Sequence, residues 1–124
     1  MRLLDEMFRI VSMDSRKVVL QMNADHPIYA IHFPGTPITP GVCIVQMLGE
    51  LLERQTGYKL ELSKIVNLKF VHTLSPTEEG GSPSPAMTVN FTSVTNADTC
   101  IHAKGDIKAD GQVATKFSLI FSCK

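Results

Sequence analysis

The segment from residue 42 to residue 52 constrains the fold more than any other part of the chain. It follows Thr39-Pro40-Gly41, which offers a hydroxyl suited to an N-cap and a proline suited to the first helical position, and Gly57 is a typical helix stop. The sequence therefore predicts one helix over about residues 40–56. That helix is apolar on most sides, so we expect other structure to wrap it at the centre of the fold. Its apolar residues are Val42, Cys43, Ile44, Val45, Met47, Leu48, Leu51 and Leu52.

A hairpin and a stiff loop are predicted before this helix. Residues 7–23 contain two β-favouring runs on either side of the turn pair Asp14-Ser15. From Ala24 to Gly41 no regular element is predicted, because five of the eight residues from Pro34 to Gly41 are proline or glycine. This second segment is expected to form a shaped loop that leads directly into the helix.

Four further strands are predicted after the helix. The first covers Lys64 to Val71, and a long loop from Thr73 to Pro85 separates it from the others. Asp110-Gly111 lies between the last two strands and favours a two-residue hairpin turn, because both of its residues need a positive φ. In the last three strands, alternating residues line one side: Met87, Val89 and Phe91; Ile101, Ala103 and Ile107; Val113, Thr115, Phe117, Leu119 and Phe121.

Two strands, one buried helix and four strands predict an α+β fold. The expected arrangement is the hotdog fold, in which a curved antiparallel β-sheet wraps around one long central helix. We expect residues 1–124 to form a single domain of this kind. A sheet this small leaves a free edge and an open helix flank, so at least a dimer that covers both is expected.

The composition excludes several classes of protein. Apolar residues make up 44% and charged residues 19% of the 124 residues, which suits a globular core and argues against a disordered chain. Twelve basic and twelve acidic residues give no net charge to attract nucleic acid or an anionic membrane. Asp5 and Glu6 argue against a secretory signal, and the longest apolar run is too short to span a bilayer. Three cysteines without metal-ligand spacing favour reduced thiols in the cytoplasm.

The segment from Asp25 to Val42 carries the chemistry of the sequence. It places His32 on the proline-rich loop that leads into the buried helix. Pro40 has no N–H, so the first free amide at the positive end of the helix dipole is that of Gly41, which can polarise a carbonyl group. A neutral imidazole beside a polarised thioester carbonyl can remove a proton from the adjacent carbon while the amide holds the enolate charge. The segment therefore predicts proton abstraction next to a thioester carbonyl.

These residues also resemble a known family. His32-Phe33-Pro34-Gly35-x-Pro37-x-x-Pro40-Gly41-Val42 is similar to the motif of the 3-hydroxyacyl-acyl-carrier-protein dehydratases of type II fatty-acid synthesis. The resemblance is close over residues 25–52 and weaker over Lys64 to Pro76. It implies a hotdog hydro-lyase without metal or organic cofactor that removes water from a (3R)-hydroxyacyl thioester to give a trans-2-enoyl thioester. It also implies His32 as the base and Gly41 as the carbonyl-binding amide.

The family's acid does not carry over to this chain. Where the family has a glutamate or aspartate on the helix of the partner protomer, this chain has Gln46, and an amide cannot deliver a proton at neutral pH. Glu50 lies one turn further along the same helix face, at a position where the family often has glutamine. We hypothesise that Glu50 supplies the carboxyl group while Gln46 orients a water molecule or the substrate hydroxyl. On this hypothesis Glu50→Gln abolishes turnover and leaves the fold intact.

Alternatives exist for the site residues and for the function. Gln46 and Glu50 also fit a polar seam at a dimer interface or a hydrated helix flank. Phe33, Pro40 and Phe70 are candidate substrate-binding residues, although Phe33, Met47 and Phe70 fit the core better than the lining of an acyl-chain tunnel. The protein could instead be a non-catalytic acyl-thioester-binding or partner subunit that has lost the acid, or a hotdog thioesterase.

The resemblance also implies a partner. The substrate would be carried on the phosphopantetheine arm of an acyl carrier protein and would enter between protomers. An acidic carrier needs basic residues near the entrance, and the sequence offers Arg54, Lys59 and Lys69 without ranking them. The site would then lie at the interface of a homodimer or of a dimer of dimers.

Overall fold

A computed structural model describes residues 2–31, 37–77 and 86–124. These residues form six strands and two helices. None of the helices in these ranges has both the length and the hydropathy needed to cross a membrane. The elements are β1 (Phe8–Met13), β2 (Lys17–Met22), α1 (Ile28–Ile31), α2 (Gly41–Thr56), β3 (Leu60–Phe70), β4 (Met87–Ala97), β5 (Cys100–Ala109) and β6 (Gln112–Cys123).

The six strands form one antiparallel sheet in the order β1-β2-β4-β5-β6-β3. The predicted first hairpin is confirmed, and its turn is fixed by Asp14, whose Oδ1 accepts the backbone N–H groups of Arg16 (2.8 Å) and Lys17 (2.7 Å). These two hydrogen bonds lower the pKa of the Asp14 carboxyl group. The predicted Asp110-Gly111 turn is also confirmed, because both residues have a positive φ, of 57° and 75°.

Helix α2 packs on the inner face of the sheet and ends where the sequence predicted. Gly57 adopts the left-handed conformation, and its N–H donates to the carbonyl of Glu53 (2.8 Å). Gly49 lets the helix approach the sheet closely, since a Cβ there would stand 3.1 Å from the Phe121 ring. Seven side chains of the helix are buried: Cys43, Ile44, Met47, Leu48, Glu50, Leu51 and Leu52.

Two expectations about the segment before α2 are wrong. The first is that Ala24 to Gly41 holds no regular element, since α1 forms one helical turn there. The His26 ring starts that turn, because its Nδ1 accepts the N–H of Ile28 (3.2 Å). The second concerns the start of α2: Pro40 is the N-cap, and no side chain caps the helix. The Thr39 hydroxyl bonds to Tyr29 instead.

Strand β3 begins at Leu60, four residues before the predicted start. Leu60 is buried and pairs with Cys123, near the end of the long β6. This pairing lets β3 start only four residues after the end of α2. β3 stands at the end of the strand order and is bonded to β6 alone. Although Leu62, Ile65 and Phe70 lie opposite residues of the inner face of β6, all three are exposed to solvent. Helix α2 therefore leaves the inner face of this strand only partly covered, with Leu62 and Ile65 exposed.

Candidate active site

A hydrogen bond links the two ends of the segment that contains His32. The Tyr29 hydroxyl of α1 lies 2.9 Å from the Thr39 hydroxyl, and both residues are buried. Thr39 is held a second time, because its N–H donates to the carbonyl of Leu74 (2.7 Å). Burial raises the pKa of Tyr29 to about 12. His32 and Phe33 themselves lie outside the described residues.

We expect Tyr29→Phe to lower the free energy of unfolding at pH 7 by about 1–2 kcal/mol, because the buried Thr39 hydroxyl loses its partner. The raised pKa gives this effect a pH dependence. The contribution of Tyr29 is complete below its usual pKa of 10.0 and is lost as the pH rises to about 12. Urea unfolding of the wild type and of Tyr29→Phe at pH 7, 9 and 11 measures the difference in the free energy of unfolding. A difference between the two proteins as large at pH 11 as at pH 9 would contradict this assignment.

Helix α2 starts with an amide that is suited to bind an acceptor. The carbonyl of Pro40 accepts the N–H groups of Cys43 (3.0 Å) and Ile44 (3.1 Å), which closes the first turn. The N–H of Gly41 has no acceptor among residues 2–31, 37–77 and 86–124. It lies at the positive end of the helix dipole, where a carbonyl oxygen or a developing oxyanion is stabilised.

The Cys43 thiol, two residues into the helix, is not placed for nucleophilic chemistry. The side chain is buried in the core, and this burial raises the pKa of the thiol. A protonated thiol is a poor nucleophile. The N–H of Gly41, which can bind an acceptor, is therefore the candidate functional group at this end of α2.

Phe70 lies directly against Gly41. A Cβ built on Gly41 would stand 2.9 Å from Cζ of the Phe70 ring, so a larger residue at position 41 would displace the ring. About half of the Phe70 side chain is exposed to solvent. The alternative that Phe70 belongs to the core is therefore wrong, and the structure brings Phe70, Pro40 and Gly41 together at the start of the helix.

Gln46 and Glu50 form a second polar group on α2. The Gln46 side-chain amide donates to Glu50 Oε2 at 2.8 Å, as their i, i+4 spacing allows. The Glu50 carboxylate also accepts three hydrogen bonds from backbone N–H groups, two from Leu3 (3.0 and 2.8 Å) and one from Leu4 (2.7 Å). Glu50 is buried, so it does not belong to a hydrated helix flank. Within the chain, its carboxylate ties the amino-terminal segment to α2.

The two polar groups lie on different sides of α2. Gln46 follows Gly41 by five residues, which corresponds to a rotation of about 140° and a rise of about 7.5 Å. Gln46 and Glu50 line a surface cavity of about 280 Å³ together with Arg2, Glu61 and Lys124. One protomer therefore does not bring the Gly41 amide and the Gln46–Glu50 pair to a common point.

Some residues of the site had no recognisable signal in the sequence. The Tyr29–Thr39 bond joins a residue predicted to lie in an irregular loop to one predicted to cap the helix, and no motif connects them. The contacts of Glu50 with Leu3 and Leu4 span 47 and 46 residues of sequence. A buried carboxylate on a mostly apolar helix is the one signal that could have indicated such a partner, because buried charges are nearly always paired.

The fold defines the class of protein, because an antiparallel sheet packed around one long helix is the hotdog fold. The dehydratase heterocomplex ApeI:P from Xenorhabdus doucetiae has a similar structure, with a TM-score of 0.62 and 14% identity over 91% of this chain and 96% of that chain. A hypothetical thioesterase from Streptococcus pneumoniae, crystallised with coenzyme A, gives a TM-score of 0.63 and 12% identity over 94% and 85%. At these identities the likeness establishes the fold alone.

Sequence comparison identifies the family. The family model of the ApeI dehydratases matches residues 9–81, so the chain belongs to the ApeI-like dehydratase family. The 3-hydroxyacyl-acyl-carrier-protein dehydratase FabZ of Chlamydia trachomatis is 37% identical over 81 aligned residues, which cover 55% of this chain and 53% of that protein. The chain spans about half the length of the curated relatives it matches. These matches confirm the resemblance to the dehydratases that the motif indicated.

Proposed function

We propose that the protein is a dehydratase of 3-hydroxyacyl thioesters carried on an acyl carrier protein. The observation that carries this proposal is the N–H of Gly41 at the start of α2, which has no acceptor among the described residues and lies in a segment that the family model covers together with His32. An amide without an acceptor at a helix start can hold the thioester carbonyl while a base acts on the next carbon. Phe70 beside it offers an apolar surface for the acyl chain.

In this reaction the chain's own residues move two protons and stabilise one developing charge. The imidazole of His32 takes a proton from C2, and the Gly41 amide stabilises the negative charge that develops on the thioester oxygen. The double bond then forms between C2 and C3 as the 3-hydroxyl leaves. That group departs as water only when a donor supplies a proton to it.

Glu50 is the proposed donor of this proton, and Gln46 is the proposed positioning residue. Glu50 would supply the carboxyl group, and Gln46 would orient the substrate hydroxyl or a water molecule. Because this pair lies on a different side of α2 from Gly41, it would serve the site of a second protomer. The donor role requires Glu50 to be released from the N–H groups of Leu3 and Leu4 that it accepts here.

The hydrogen bonds that the Glu50 carboxylate accepts from Leu3 and Leu4 favour a second candidate function. If the carboxylate stays bound to the amino-terminal segment, the only other polar group of the pair is an amide that cannot donate a proton at neutral pH. The protein would then bind acyl thioesters without dehydrating them and could act as the partner of an active homologue. The similar dehydratase from Xenorhabdus doucetiae is a heterocomplex, which is in line with a role for this chain beside a different partner chain.

One assay separates these functions from each other and from a thioesterase. Purified protein is incubated with a 3-hydroxyoctanoyl thioester of N-acetylcysteamine while enoyl absorbance and free thiol are followed together. A dehydratase gives enoyl absorbance without thiol, a thioesterase gives thiol without enoyl absorbance, and a binding subunit gives neither. Absence of both signals, with saturable binding of the thioester, would overturn the dehydratase proposal in favour of the second candidate.

The uncovered part of the inner face of β3 supports the proposal of a dimer. Leu62 and Ile65 expose apolar side chains there. β3 is also an edge strand of the described sheet, and an exposed apolar surface on an edge strand is typical of a contact with a second protomer. We expect Ile65→Glu to convert the dimer to a monomer in analytical ultracentrifugation. Val11→Glu on β1 is the matched control, because Val11 is 51% exposed and Ile65 49%. Equal sedimentation of both variants and the wild type would remove β3 from the interface.

The structure also supports a ranking of the residues proposed to meet an acyl carrier protein. Lys69 is exposed and directly precedes Phe70, so its backbone is close to the start of α2, while its side chain points to the opposite, outer face of the sheet. Arg54 and Lys59 are exposed too, but Arg54 lies in the last turn of α2, about 20 Å from Gly41 along the axis, and Lys59 follows the end of the helix. Lys69 pairs with Lys116 across the sheet, so two basic side chains lie together there. We propose these two lysines as the contact for the acidic carrier.

A further inference from the structure

A buried hydroxyl without a partner lies close to the start of α2. Thr115 of β6 is fully buried, and its Oγ1 has no hydrogen-bond partner among the described residues. In the described part of the chain, no other buried side-chain nitrogen or oxygen is left in this state. Removing a hydroxyl from water without a hydrogen bond is unfavourable, and folded proteins nearly always avoid it. The unpaired hydroxyl therefore needs a physical explanation.

The sheet register places Thr115 beside Phe70. The two residues are direct partners on neighbouring antiparallel strands, so their side chains point to the same face, with Cβ atoms about 5 Å apart. On its other side Thr115 pairs with Ile107, which is buried in the core. Thr115 is thus the one polar member of a row that crosses the inner face of the sheet: Val18, Val89, Ile107, Thr115 and Phe70.

The Phe70 ring connects this hydroxyl to the Gly41 amide. The tip of the ring rests against Gly41, and the base of the same side chain stands next to Thr115. Half of the ring is in solvent, so few neighbours hold it in place. Among the described residues, neither the N–H of Gly41 nor the Oγ1 of Thr115 has a hydrogen-bond partner, and both residues lie against this one side chain. Because Thr115 is fully buried, a ligand reaches its hydroxyl only if a neighbouring side chain moves.

We infer that Thr115 Oγ1 binds the 3-hydroxyl group of an acyl thioester whose carbonyl is held by the Gly41 amide. This inference rests on the proposed function, because that function supplies a ligand with a carbonyl and a hydroxyl two carbons apart. A threonine hydroxyl can donate to and accept from another hydroxyl, and the described part of the chain offers Thr115 Oγ1 no competing partner. A saturated acyl chain would leave Thr115 unpaired, so the site would discriminate against acyl groups that lack the 3-hydroxyl.

The test compares the binding of two ligands by isothermal titration calorimetry. The 3-hydroxyoctanoyl and octanoyl thioesters of N-acetylcysteamine differ only in the 3-hydroxyl, and the His32→Ala background prevents turnover. With Thr115 present, we expect the hydroxyacyl thioester to bind at least about 10-fold more tightly. Thr115→Val should bring the two affinities together, whereas Thr115→Ser, which keeps the hydroxyl, should retain the preference.

The thermal stability of the unliganded protein gives an independent readout. Valine has the shape of threonine without the hydroxyl, so Thr115→Val should raise Tm by about 2–5 °C if the hydroxyl is unpaired in the free protein. A lower Tm would show that the hydroxyl already has a partner and would overturn the inference. So would an unchanged ligand preference in Thr115→Val, or no binding of either thioester.

The outcomes also distinguish this inference from the proposed function. A preference for the hydroxyacyl thioester that depends on Thr115, in a protein that forms no enoyl product, would support the subsite and contradict the dehydratase. Enoyl formation by the wild type, with an unchanged preference in Thr115→Val, would support the dehydratase and contradict the subsite.

Discussion

Replacing His32 by alanine is expected to lower the rate of enoyl-thioester formation by about 10²–10⁴-fold, the usual contribution of a general base. The expectation follows from the proposed chemistry, in which no other group is assigned to take the proton from C2. Turnover is measured by enoyl absorbance under saturating 3-hydroxyacyl thioester, so that the loss appears in kcat. The melting temperature of the variant should stay close to that of the wild type, which separates lost catalysis from lost folding.

His72→Ala is the matched control for this experiment. His72 is exposed, and its backbone N–H donates to the carbonyl of Ala114, a hydrogen bond that an alanine retains. We expect its turnover to stay within about twofold of the wild type, since exposed substitutions away from a site have small effects. If both variants kept full activity, His32 would not be the base.

Glu50→Gln is expected to destabilise the protein by about 3 kcal/mol and to lower Tm by about 10–15 °C. The glutamine keeps one acceptor oxygen and turns an NH₂ group toward the N–H groups of Leu3 and Leu4, so buried donors lose their partner. The sequence alone predicted that this variant would keep its fold, because the contacts of Glu50 could not be seen there. Chemical unfolding and calorimetry measure the change.

Glu61→Gln controls for the charge of this substitution. Glu61 lines the same cavity as Glu50 but is exposed, so its neutralisation should change stability by less than about 0.5 kcal/mol. A Glu50→Gln protein that is as stable as the wild type but inactive would restore the purely catalytic role. A variant that is destabilised yet active would instead assign Glu50 to structure alone.

The parts of the fold that could be predicted from sequence are those set by local chemistry. Asp110-Gly111 predicted its turn because few other residue pairs tolerate two positive φ angles. The apolar run after Pro40 predicted α2 to within one residue at its start. Both signals lie within a few residues of the structure they determine.

The features that could not be predicted depend on contacts between distant residues. Thr39 has an ideal capping side chain, but its hydroxyl bonds to Tyr29, a residue buried by the tertiary structure. In the same way β3 starts at Leu60 because β6 is long enough to pair with it there. At the site, the sequence identified Gly41 and the Gln46–Glu50 pair but not the amides of Leu3 and Leu4 that occupy Glu50.

The position of β3 in the sheet has a consequence for protein synthesis. This strand leaves the ribosome before β4, β5 and β6, yet the only described strand to which it is hydrogen-bonded is β6, the last of these four in the chain. Until then β3 exposes unpaired backbone groups and the apolar Leu62, Ile65 and Val66 to the rest of the cell. Pairings over such sequence distances form slowly and favour aggregation of the nascent chain. Chaperone binding during translation should therefore concentrate on this strand.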